Sequence, residues 1–340
     1  MSEPLLRVED LHVAFDHPLG KVKAVDNVSF ALSPGERFGL VGESGSGKST
    51  LALAILRMIK PPGRIEAGEV WLAGTRLADL DEDRIRALRL AGIALVPQGS
   101  MNSLNPVLRI GAQIADTLAD HGLRLTRAER ERRIAALLAE VGLPESVARM
   151  YPHELSGGMK QRACIAIAIC LQPKVIIADE PTSALDVVVQ RQVMLTLGRL
   201  QQGLHAAVLL IGHDMGLIAQ FADTVGVLYA GRLVEQGPVD QILENPRHPY
   251  TRLLIDSLPT LDDKKALRGI PGLPPSLLKL PPGCPFAPRC PYAFDRCRHE
   301  TPLPQPVAPG QLAACHLYPE HAVLPPLPDS AQLPEVAVVR

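Results

Sequence analysis

The chain has 340 residues, 46% of them hydrophobic and 21% charged, which suits one large or two modest globular domains and excludes an intrinsically disordered protein. Lys and Arg (35) nearly cancel Asp and Glu (36), so a net charge of −1 supplies no overall basic field to gather nucleic acid or anionic lipid. The longest apolar run, 163–171, is about half the ~18 residues of a bilayer-spanning helix, and the start MSEPLLRVED carries acids where a signal peptide is basic, so the expectation is a cytosolic chain that does not cross a membrane alone.

In chain order, a strand over 37–41 leads into a helix over 49–58 through Gly42-Glu-Ser-Gly-Ser-Gly-Lys48-Ser49-Thr50. Strand, glycine-rich loop and helix are what a phosphate loop requires, and they argue against a merely flexible turn. Gly42, Gly45 and Gly47, with Ser44 among them, let the backbone fold into a cradle of N–H groups at a helix N-terminus. Lys48 would reach the β- and γ-phosphates, and Ser49, followed by Thr50, would set its hydroxyl on Mg²⁺. Gln98 follows the strand-like run 92–97. The stretch 104–147 then shows helical periodicity without a strand (Ile110, Ile114, Leu118; Ile134, Leu137, Leu138, Val141) and reads as a helical insertion. Its charged run at 127–133 interleaves Glu with Arg and reads as a solvated helix face.

The octet Leu155-Ser156-Gly157-Gly158-Met159-Lys160-Gln161-Arg162 opens a long helix, where hydroxyl, backbone N–H groups and helix dipole suit an anion. Cys164 and Cys170, farther along that helix, read as small buried hydrophobes. A buried strand over 175–178 then ends in Asp179 and Glu180, at the sheet edge where α/β folds hold ligands. Asp179 would hold Mg²⁺ and Glu180 would accept a proton from water attacking the γ-phosphate. A helix over 187–200, a strand over 207–211 ending near His213, and a helix over 215–221 complete the alternation, which predicts a parallel sheet covered by helices.

The last quarter differs. Eighteen of the 32 prolines lie between 259 and 334, which marks that region as a separate unit. Its four cysteines, Cys284, Cys290, Cys297 and Cys315, have 5, 6 and 17 residues between them, and a segment so poor in apolar periodicity needs a staple. In a reducing cytosol four thiolates suit Zn²⁺ or a [4Fe–4S] cluster, and spacing does not choose between them. His316, beside Cys315, reads as an exposed histidine rather than a ligand.

The octet at 155–162 resembles the signature sequence of ATP-binding cassette (ABC) ATPases, and the phosphate loop, Gln98, the paired acids, Ser183-Ala184-Leu185-Asp186 and His213 stand in that family's order over roughly residues 5–245. The resemblance implies an α/β P-loop NTPase core with a mainly parallel sheet, an antiparallel β N-terminal subdomain and a helical subdomain inserted at about 104–165. That ATPase domain would span 1–245, with a small Pro/Cys-rich C-terminal extension at 246–340. It implies that Gln98 senses the metal, that His213 hydrogen-bonds the γ-phosphate, and that Phe15 stacks on adenine. Asp186 would line an interface between two cassettes, with Ser156, Gly157 and Gly158 binding the γ-phosphate held by the opposite subunit. Gly212 and Gly99 depart from the family's usual residues without removing a catalytic group.

Asn245-Pro-Arg-His-Pro-Tyr250-Thr-Arg-Leu-Leu, the segment around Cys284 and Cys290, and Ala314-Cys315-His316 resemble the extension of oligopeptide, dipeptide and nickel importer ATPases. That likeness favours [4Fe–4S] over Zn²⁺ at the four cysteines. It implies the ATP-hydrolysing subunit of a membrane importer for peptides or a related small solute, peripheral on the cytoplasmic face. The implied partners are a homologous second cassette, two permease subunits and an extracytoplasmic solute-binding protein, with no nucleic acid. A soluble cassette ATPase working on DNA or ribosomes would carry coiled-coil arms, two cassettes or a basic face, whereas about 57 residues separate Gln98 from Ser156. An exporter ATPase is opposed by the importer-like extension.

Overall fold

A computed structural model describes residues 3–99, 103–258, 269–318 and 324. The chain begins with an antiparallel pair, β1 (Leu6–His17) and β2 (Gly20–Leu32). Leu6, Val8, Leu11 and Val13 of β1 are buried while Arg7, Glu9, Asp10 and His12 between them are more exposed, and a register shift between Val8 and Leu11, with Asp10 at φ 45°, keeps the apolar set on one face. After β3 (Arg37–Val41) and α1 (Lys48–Ile55), β4 (Gly63–Leu72) and β5 (Thr75–Arg76) complete this first sheet in the order β2-β1-β4-β5. It is the antiparallel N-terminal subdomain expected.

Next come α2 (Glu82–Leu88), β6 (Ile93–Val96) and three helices without a strand among them: α3 (Ile110–Asp120), α4 (Arg127–Glu140) and α5 (Gly157–Ile169). The periodic residues of 110–141 are buried as their spacing predicts. A capping box between Thr126 and Glu129 starts α4, and its charged first turns are exposed, with Arg127 paired to Glu131 at 2.9 Å. The remaining elements are β7 (Val175–Asp179), α6 (Val187–Leu204), β8 (Ala207–Gly212), α7 (Met215–Phe221), β9 (Thr224–Tyr229), β10 (Arg232–Pro238), α8 (Val239–Glu244), α9 (Pro249–Asp256), α10 (Asp295–His299), β11 (Gln305–Ala308) and β12 (Gln311–Ala313).

The main sheet runs β11-β12-β10-β9-β3-β8-β7-β6, parallel from β9 to β6 and antiparallel beyond β9. Both faces of its parallel part are covered, so alternate residues feed two cores. Ile176, Ala178, Val208 and Leu210 face the helical insertion and α6, while Val175, Ile177, Leu209 and Ile211 face α1 and the N-terminal sheet. Among the described residues no helix is long and apolar enough to cross a membrane.

The last quarter, read from composition as a separate unit, joins this sheet. β12 pairs with β10 through Glu235 and Ala313, and Phe286 is buried in the larger core cluster. Of the proline-rich region, 259–268 and 319–340 apart from Leu324 lie outside the described residues.

Candidate functional site

β3, β7 and β8 end side by side, and the loops that follow them form the site. Between β3 and α1 the chain makes a cradle in which Gly47 has φ 104°, and a Cβ there would lie 2.1 Å from the carbonyl oxygen of Ala24, so only glycine fits. Lys48 folds back into the cradle: its Nζ donates to the carbonyls of Gly42 (2.7 Å) and Glu43 (2.9 Å). Burial lowers its pKa, opposed by the nearby carboxylates of Glu180, Asp179 and Glu43. Ser44 and Gly45 are exposed on the rim, and Ser49 and Thr50 are half-buried in the first turn of α1, where backbone N–H groups lack helical partners.

At the end of β7, Asp179 is 5% exposed, and its Oδ1 has no hydrogen-bond partner among the described residues. Burial raises its pKa and the Glu180 carboxylate adds to that, while the Ser49 hydroxyl and the Lys48 ammonium act the other way. An orphaned carboxylate oxygen beside a serine hydroxyl is a set of hard oxygen donors, which fits Mg²⁺. Glu180 has φ 46°, a left-handed conformation that costs a non-glycine residue about 1 kcal/mol or more, and it is held there by its N–H donating to Ile211 O at 2.9 Å. Its Oε2 accepts from Gln98 Nε2 at 2.8 Å, and its Oε1 lies 3.4 Å from Nδ1 of the exposed His213. Lys48, Gln98, the adjacent Asp179 and Glu180, and His213, from four separate segments of sequence, therefore converge.

The other expected residues are placed differently. Ser156 caps α5, its Oγ accepting from Met159 N at 3.3 Å, and Asp186 caps α6, its Oδ1 accepting from Val189 N at 3.0 Å. The two helix starts touch: a Cβ on Gly158 would lie 2.5 Å from Val189 Cγ1, so the signature needs glycine for close packing, while Gly157 stays half-buried. No hydrogen bond among the described residues links Ser156, Gly157, Gly158 or Asp186 to the Lys48 cluster. Phe15 sits half-buried over Gly63 on β1, paired with Val22, two residues along β2 from the Ala24 carbonyl that abuts Gly47.

All four C-terminal cysteines line one small cavity together with His248, Phe286 and Tyr292. They are free thiols; burial pushes Cys315 up to about 12 and raises Cys284 and Cys290, and the other thiols push in the same direction. Yet among the described residues no group of three or more His, Cys, Asp or Glu side chains is placed to hold a metal ion. The ring Nε2 of His316 lies 2.9 Å from Glu300 O. Cys164 and Cys170 are buried in the core, as read from their spacing, and burial pushes the Cys170 thiol up to about 11.

Sequence reasoning missed the groups that tie the extension to the loop. Glu43 pairs with Arg289, and its N–H donates to the Tyr250 hydroxyl at 2.9 Å. A signal was there, because an acid inside a loop built for polyanions demands a cation nearby.

The sequence matches the family described as ABC transporter over residues 25–183, and that described as oligopeptide/dipeptide transporter, C-terminal region, over 234–297. The oligopeptide transport ATP-binding protein OppD of Salmonella typhimurium is 44% identical over 92% of this chain and 93% of its own length. The dipeptide transport ATP-binding protein DppD of Escherichia coli is also 44% identical, over 92% of this chain and 96% of its own. A dimeric structure of the ATP-binding cassette MJ0796 bound to ADP and Pi aligns with a TM-score of 0.62 at 28% identity, over 69% of this chain and 98% of that one. With its loop geometry, sheet order and relatives in agreement, this chain belongs to the ABC transporter ATP-binding family, in the group that carries the oligopeptide/dipeptide transporter C-terminal region.

Proposed function

We propose that this chain is the ATP-hydrolysing subunit of a membrane ABC importer for di- or oligopeptides, with an ATPase domain at 1–245 and the extension at 246–340. The observation that carries the reading is the convergence of Lys48, Asp179, Glu180, Gln98 and His213 at the carboxyl edge of one sheet. The backbone of Gly42, Ser44, Gly45 and Gly47 cradles the phosphates, and Lys48 exchanges its carbonyl partners for β- and γ-phosphate oxygens. Ser49, Asp179 and Gln98 would hold Mg²⁺, which supplies positive charge to the departing phosphoryl group. Glu180 accepts the proton of the attacking water; Gln98 orients its carboxylate from one side and His213 from the other, with His213 also reaching the γ-phosphate. Phe15 stacks on the adenine.

Ser156, Gly157, Gly158 and Asp186 serve the site of a facing cassette. Support for pairing comes from Val187 and Val188, 79% and 77% exposed beside Asp186, and from the dimeric MJ0796 cassette. The facing cassette is a homologous chain. Two permease subunits and an extracytoplasmic solute-binding protein complete the importer, and this chain lies peripherally on the cytoplasmic side. Peptide as the cargo is supported by the printed functions of OppD and DppD, and a net charge of −1 gives nucleic acid no purchase.

For the extension we propose a [4Fe–4S] cluster on Cys284, Cys290, Cys297 and Cys315, supported by the one cavity that all four line. Anaerobic purification with Fe and Zn analysis tests it: about four Fe per chain is expected, lost in Cys290→Ser, whereas one Zn per chain or no metal would refute the cluster. The transport reading is tested by assembling the chain with its permease in vesicles. ATP-dependent peptide uptake that stops with Glu180→Gln is expected, and uptake undiminished by that change would refute Glu180 as the base.

A further inference from the structure

Glu43 is the second residue of the phosphate loop, and a bare carboxylate there would repel a triphosphate. In the fold it is not bare. Arg289, in the turn between Cys284 and Cys290, grips it with two parallel bonds, Nη1 to Oε2 at 2.7 Å and Nη2 to Oε1 at 2.9 Å. Two further guanidinium donors are used as well: Nε donates to Pro271 O at 2.7 Å, and Nη1 also reaches the Tyr229 hydroxyl at 3.2 Å. The Arg289 side chain is 4% exposed and lies 5.8 and 5.9 Å from the ring centroids of Tyr229 and Phe286.

The main chain of Glu43 is tied down by the same surroundings. Its N–H donates to Tyr250 Oη, and the rings of Tyr229, Tyr250 and Phe286 pack together at 4.6 to 5.4 Å. The turn that presents Arg289 is itself fixed, with Ala287 N donating to Cys284 O (3.0 Å), Arg289 N to Phe286 O (2.9 Å) and Cys284 N to Cys297 O (2.8 Å). The end of β9, the start of α9 and the cysteine turn thus meet on one residue of the phosphate loop. Apolar side chains would fasten the extension as well as a buried ion pair does. What the pair adds is cancelled charge and fixed geometry where a polyanion binds.

We propose that Arg289 is a positioning residue for ATP binding: it neutralises Glu43 and braces the phosphate loop against the cysteine-rich extension, which thereby sets the nucleotide affinity of the cassette. This rests on the reading of 42–50 as the ATP phosphate loop. The test measures ATP binding by calorimetry and hydrogen exchange over 42–48 on the purified full-length chain. Arg289→Ala weakens ATP binding about tenfold or more and speeds exchange, and Arg289→Lys, which keeps the charge without the fork, falls between it and wild type. Adding Glu43→Gln to Arg289→Ala removes the unpaired charge and brings binding back to within about threefold of wild type, which also shows that the chain still folds. In the assembled transporter Arg289→Lys raises KM for ATP by a larger factor than it lowers kcat. Wild-type affinity in Arg289→Ala would overturn the proposal, as would a double variant as weak as the single one. Lys48→Ala separates the two levels: normal ATP binding there would overturn the loop reading and the brace together, whereas binding lost in Lys48→Ala but kept in Arg289→Ala would overturn the brace alone.

Discussion

Asp179 and Glu235 are both buried carboxylates of the main sheet, and the fold treats them in opposite ways. Asp179, at the end of β7, has an oxygen with no partner among the described residues. Glu235, in the middle of β10, accepts from Arg247 N (2.6 Å), His248 N (2.9 Å) and Gln311 Nε2 (2.8 Å), bonds that join β10 to the turn before α9 and to β12. Leaving a buried acceptor unmatched costs about 1–3 kcal/mol, so a protein keeps one where a ligand will complete it. The satisfied carboxylate is a fastener, and the unsatisfied one is left open to a ligand.

The largest effect expected from this contrast falls beside Asp179. Glu180→Gln should lower ATP turnover about 10²-fold or more while ATP still binds and the paired cassettes stay closed, as single-turnover kinetics and sizing would report. Asp179→Asn should raise the Mg²⁺ concentration needed for half-maximal ATP binding about tenfold, because it replaces an anionic carboxylate facing the cation with a neutral amide. Its thermal stability should hold or improve, since no intramolecular hydrogen bond is lost at Oδ1.

Glu235→Ala should do the reverse, leaving ATP chemistry to the loop and costing about 3 kcal/mol of stability by orphaning three donors, read as a lowered unfolding midpoint. A finer prediction concerns pH. Burial pushes Glu235 up to about 7 from 4.5, so the folded chain holds this proton more tightly than the unfolded chain between those values. The Glu235 contribution to stability therefore falls as pH rises from about 4.5 to about 7 and is level above that. Unfolding midpoints across that range should show the slope in wild type and a weaker one in Glu235→Gln; equal slopes would remove Glu235 as its source. The smallest effect should come from Arg127→Ala on the exposed face of α4, where the unfolding midpoint should not move.

Local chemistry made the site legible in the sequence. The glycines of the loop, Lys48 and the paired acids after a β-branched run each state a backbone need or a charge that is hard to explain otherwise. The helices of the insertion followed from spacing alone, because each buries one stripe. Less was visible in the last quarter, where composition suggested an independent unit and strand pairing made it the edge of the main sheet. β11 and β12 are four and three residues long, too short for periodicity to declare them.

The sequence by itself determined which groups are candidates for chemistry, since a glycine-rich cradle and paired acids at a strand end are set by residue type within a few neighbouring positions. Only the tertiary structure decided which distant groups meet. Glu43 and Arg289 stand 246 positions apart, Gln98 and Glu180 stand 82 apart, and Glu235 and Gln311 stand 76 apart. Each pair exists because parallel crossovers, an added sheet edge and the cysteine turn bring distant segments together, and no local pattern encodes which segment will lie beside which.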